Sequence, residues 1–198
     1  MTNEEKSEIE ARMKLESKNG GIARSETEIK KSVELQSIFD DWKAQVATKP
    51  PIIFQDNGKE YPPQDYFAQD GFFPGYFEQK TKVLFIARET RWISDSDFRD
   101  TTLNFFKTEN VNGSIFWRRV LSILYGIQYG GALAFSEIPN ADDIAKEMVS
   151  SGKFGFAVMQ LSKYSNDSNG GGTRDIDLMN RFFEDFFYNF LILLIYLY

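Results

Sequence analysis

The 198 residues are enough for one domain with a sizeable core plus an extension. The absence of Cys and His excludes disulfides, thiolate chemistry and imidazole bases, so any enzyme chemistry falls to carboxylates, hydroxyls, amides, lysines or backbone dipoles. A net charge of −6 argues against broad, non-specific nucleic-acid binding, although a local basic patch remains compatible with it.

The first residues, Met1 to Lys6, carry no basic region followed by an apolar one, so they do not form a signal peptide. A cytoplasmic location, no membrane association and no metal or cofactor are the expectations. Residues 1–26 read as a charged, flexible or helical extension, and 27–198 as a single α/β domain. Ile9, Met13 and Leu15 give the extension a thin apolar stripe, too little to fold alone. Ile29, Val33, Leu35, Ile38, Phe39, Trp42 and Val46 follow the spacing of an amphipathic helix, with Thr27 as the expected cap and Pro50-Pro51 as the stop. Pro50 to Gly75 is irregular and aromatic, as expected of a lid, a pocket wall or plain core covering. Aromatic residues make up 16% of the chain, which fits either a packed core or a stacking surface.

Val83 to Ala87 is continuously apolar and stops at Arg88-Glu89-Thr90-Arg91. Such a run predicts a strand buried on both faces of a parallel sheet, with the charged cluster just past its carboxyl end. Asp95, Asp97 and Asp100 lack the Gly and Glu of a calcium loop and read as solvated or capping carboxylates. Ser114 caps a predicted helix over Ile115–Tyr125, apolar nearly all round and closed by Gly126. Arg118 and Arg119 on that helix can reach phosphate or pair with carboxylates.

Another helix is predicted to start at Pro139–Asp143 and to end at Gly152, before a second strand-length run, Phe154–Leu161. The glycine-rich loop Asn169–Thr173 leads to a helix from Asp175, but it lacks the Walker and dinucleotide spacings. Phe186 to Tyr198 is apolar except for Asn189, and it is shorter than the ~20 residues of a membrane span. It predicts a buried strand at Leu191–Tyr196 and suggests a domain cut short by a frameshift or early stop. The apolar end and the N-terminal helix are the expected surfaces for a protein partner.

Several stretches, taken in order, resemble the uracil-DNA glycosylase-like superfamily, in particular its uncharacterised bacterial branch. They are Asp70-Gly71-Phe72-Phe73-Pro74, Lys82 to Thr90, Phe116-Trp117-Arg118-Arg119-Val120 with Tyr125-Gly126, and Ala157 to Tyr164. The resemblance implies a three-layer α/β/α fold with a short, mainly parallel sheet, incomplete at its C-terminal end. It implies Glu89 as the base that orients or activates water, Arg88 as a partner for phosphate or a carboxylate, and Thr90 as a further substrate contact. Trp92 and Tyr164 would hold an extruded base, Gln160 and Asn166 would supply amides to read it, and Lys163 would contact backbone phosphate.

Active members carry a late His-containing loop. This chain has no His, which implies a different chemistry, an inactive relative or a fragment. The expected partner is DNA or a nucleotide. A second expectation is a non-catalytic nucleotide-binding or protein-binding α/β module, with Arg88, Arg91, Lys163 and Arg174 on one face. The purely structural alternative for Arg88 and Glu89 is a loop salt bridge that pins the end of the strand.

Overall fold

Ser25, rather than Thr27, opens the long amphipathic helix. Its hydroxyl accepts from the Glu28 amide while the Glu28 carboxylate accepts from the Ser25 amide. This reciprocal capping box contributes about 1 kcal/mol. The helix, α2 (Glu26–Val46), follows α1 (Asn3–Lys18) and buries Ile29, Val33, Leu35, Phe39, Trp42 and Val46. That is the predicted stripe, except that Ile38 is only partly buried.

The computed structural model describes residues 2–18, 24–48, 52–53, 60–61, 67–91 and 96–166. Trp92, Asp95, Arg174, the loop Asn169–Thr173, the helix expected from Asp175 and the strand expected at Leu191–Tyr196 lie outside them.

The stretch from Pro50 to Gly75, read as irregular, contributes four two-residue strands. β1 (Ile52–Ile53) pairs antiparallel with β2 (Glu60–Tyr61). β3 (Ala68–Gln69) and β4 (Gly71–Phe72) flank Asp70. β5 is Leu84–Arg91, and β6 (Ser96–Asp97) pairs parallel with β3. The last strand is β7 (Ala157–Asn166), and the main sheet has the order β4-β7-β5, with β4 antiparallel and β5 parallel to β7. The class is therefore mixed α/β.

Two expectations change here. β7, not β5, is the strand buried on both faces: Ala157, Val158, Met159 and Gln160 are all inaccessible. β5 lies at the edge of the described sheet, with Ile86 59% exposed. The polar cluster at Arg88–Arg91 is also part of β5, and Ser162–Asn166 is part of β7. Backbone pairing between the two strands carries both beyond the point where apolar side chains stop.

Three helices build the core against β5 and β7. α3 (Phe98–Thr108) buries Leu103 and Phe106. α4 (Ile115–Gln128) is capped by Ser114, as predicted, but runs past Gly126. It is also not buried all round. Trp117, Val120, Leu121, Leu124 and Tyr125 face inward, whereas Ile115, Phe116, Ile123 and Ile127 are exposed. α5 (Ala141–Asp143) starts behind Asn140 and continues as a π-helical stretch over Ile144–Val149.

These elements share one cluster with Phe73, Val83, Phe156 and Val158, with Phe85 and Ala87 packed against it. Phe73 stacks on Phe156 at 4.4 Å, and Trp117 meets Phe106 edge-on at 4.9 Å. Each such ring, fully buried, contributes roughly 1.5–3 kcal/mol. Many of the described rings therefore build the core. A second aromatic group joins Phe39 and Trp42 of α2 to Phe67. Among the described residues, no helix is long and apolar enough to cross a membrane.

Candidate functional site

Because β5 and β7 run parallel, their carboxyl ends lie on the same side of the sheet, where open α/β sheets place ligands. The register sets Ala87 opposite Gln160 and Glu89 opposite Ser162. It then slips: Arg91 pairs with Asn166, so β7 spends two more residues than β5 on the last step. Such irregularities re-aim side chains and are enriched beside active sites. Arg88, Glu89, Thr90, Tyr164 and Asn166 therefore share one rim by backbone position. Their side chains lie outside what the structure describes, as does Trp92 altogether.

Beneath this rim is a buried polar cluster built on Asp70. The carboxylate sits between β3 and β4 and reaches β7, where Oδ2 accepts from the Gln160 amide at 2.5 Å and from the Lys163 ammonium. The Lys163 ammonium also lies 5.7 Å from the Phe39 ring centre and 5.9 Å from that of Trp42. Arg99, at the start of α3, is 8% exposed and adds a second positive charge to the cluster.

Burial pushes the Asp70 carboxyl up and the Lys163 ammonium down; the attraction between the two opposes both shifts. Asp70 Oδ1 and Gln160 Oε1 are buried and have no hydrogen-bond partner among the described residues. A second buried carboxylate, Glu28, accepts from the Gly75 amide at 2.5 Å and the Tyr76 amide at 3.1 Å. It ties α2 to the turn after β4.

This geometry revises two of the predicted roles. Lys163 is 1% exposed and committed to Asp70, so its ammonium does not contact a backbone phosphate at the surface. Gln160 is 2% exposed and inside the sheet, so its amide is part of the interior and not of the rim. Both act as positioning groups that hold β7 against the β3–β4 turn.

Asp70, Arg99 and Glu28 were not legible as site residues. The one available signal is a lone carboxylate, Asp70, set among Phe67, Phe72 and Phe73. Among the described residues, no group of three carboxylates is placed to hold a metal ion. Comparison with protein-family models, with curated proteins and with solved structures finds no match to this chain.

Proposed function

We propose that this protein recognises nucleobases in DNA in the manner of the uracil-DNA glycosylase-like superfamily, on a three-layer α/β/α fold in the cytoplasm. One observation carries the reading: the parallel pairing of β5 with β7 sets Glu89 opposite Ser162, one step before the register slips. A carboxylate at that rim suits hydrolysis of an N-glycosidic bond. Glu89 takes a proton from water as the water oxygen bonds to C1′. The C1′–N bond breaks with its electron pair leaving on the base, which is then protonated from solvent. In this reading Trp92 and Tyr164 would stack on an extruded base, and Arg88, Thr90 and Asn166 would supply its polar contacts.

Base release from oligonucleotides carrying uracil and a panel of damaged bases tests the proposal. The wild-type protein releases at least one of them. Glu89→Gln loses that activity, by about 100-fold or more, with folding unchanged. Release that is equal in the two proteins overturns the role of Glu89.

A second reading has its own support. The chain holds no His to stabilise a departing base, and Lys163 is tied to Asp70. A non-catalytic nucleotide-binding module fits those facts, and binding without release in the same assay selects it.

A further inference from the structure

Helix α4 presents a groove that the rim does not use. It lies between the outward face of α4 and the turn at Phe135–Glu137 with the residues after it, is half open to solvent, and has a volume of about 590 Å³. Ile123, Ile138 and Phe135 form an apolar wall, and Arg118, Arg119 and Ser122 lie along the helix side. Phe135 is 82% exposed and Ile123 53% exposed. Leaving a Phe in water forgoes roughly 1.5–3 kcal/mol of burial that a bound apolar group would recover.

The charged side chains that line this groove are both cationic. Arg119 has no ion-pair or hydrogen-bond partner among the described residues. Among the described residues Arg118 makes one long bond, 3.4 Å to the Asn112 carbonyl, which occupies one of its five N–H donors. Among the described residues, no carboxylate lines the groove. On a chain of net charge −6, two adjacent guanidiniums without a carboxylate partner are a local anion site.

We propose that this groove binds a small organic anion, with its phosphate, sulfonate or carboxylate head held by Arg119 and Arg118 and its planar apolar body laid against Phe135 and Ile123. The volume of this half-open groove lies within the ~300–1,000 Å³ of small-molecule sites, and the mix of apolar wall and few polar groups is the composition such sites share. The site is independent of the nucleobase reading of the sheet rim.

The test uses two probes of nearly the same shape, 8-anilinonaphthalene-1-sulfonate and the uncharged N-phenyl-1-naphthylamine, titrated by fluorescence. The wild-type protein binds the sulfonate about tenfold or more tighter than the neutral probe, and this preference shrinks as salt rises. Arg119→Ala weakens the sulfonate about tenfold and leaves the neutral probe unchanged, and Arg119→Lys restores part of the loss. Phe135→Ala weakens both probes. Both side chains are exposed, so circular dichroism and urea midpoints should match those of the wild type. Equal affinity for the two probes, or a sulfonate affinity indifferent to Arg119→Ala, overturns the proposal.

Discussion

The Lys163 ammonium on β7 donates to Asp70, 93 positions earlier in the chain, and both side chains are almost wholly removed from water. This contact locks the β3–β4 turn to the distal half of β7, the half that carries the rim. Removing one partner leaves the other charge buried and unpaired, at a cost of about 3–5 kcal/mol. Asp70→Ala and Lys163→Met should each lower the urea unfolding free energy by that amount. The double variant should lose much less than the sum of the two. Additive losses in the double-mutant cycle would show that the pair is not coupled.

Glu28 gives the protein a pH signature. Burial, with help from Glu78, raises its carboxyl above the ordinary value of 4.5, against the opposing hydrogen bonds from Gly75 and Ser25. Between the ordinary and the raised value the native state binds more protons than the unfolded chain, so the Glu28 contribution to stability falls as pH rises through that window. It is fully present below the ordinary value. Unfolding free energies of wild type and Glu28→Gln, measured from pH 4 to pH 8, should therefore diverge in one direction. The wild type loses ground relative to the variant as pH increases, and a difference that does not vary with pH contradicts this account.

Gly75 and Gly155 sit where two backbones meet. Gly75 has φ of +81°, and a Cβ there would stand 1.7 Å from the Gly152 carbonyl oxygen. At Gly155 the added carbon would stand 2.0 Å from the Tyr76 nitrogen. Because the obstacles are backbone atoms, neither clash is relieved by a side-chain rotation. Gly75→Ala and Gly155→Ala should each destabilise by at least about 2 kcal/mol. Gly126→Ala, with open space around its Cβ on α4, should instead be neutral or stabilising by up to about 1 kcal/mol. Thermal midpoints rank the three.

Where an element is defined by apolar side chains, the amino-acid sequence shows it. The run Val83–Ala87 announces β5, and Ile29 through Val46 announce α2, because burial selects those residues directly. The carboxyl halves of β5 and β7 are polar and look like loops, since a backbone ladder leaves little trace in side-chain identity. Gly126 reads as a helix end, yet α4 continues through it because packing of Leu124 and Tyr125 outweighs a glycine penalty of about 1 kcal/mol. The Asp70–Lys163 contact was invisible for a different reason. Each residue is ordinary in its local context, and only the sheet register brings them together.

The central claim is recognition of a nucleobase at the rim shared by β5 and β7. Fluorescence anisotropy with single-stranded oligonucleotides that differ in one position, uracil against thymine, measures it most directly. The account predicts tighter binding to the uracil strand, affinity for both strands that weakens as salt rises, and loss of the uracil preference in Asn166→Ala. Equal affinity for the two strands, or no binding to either, would contradict it.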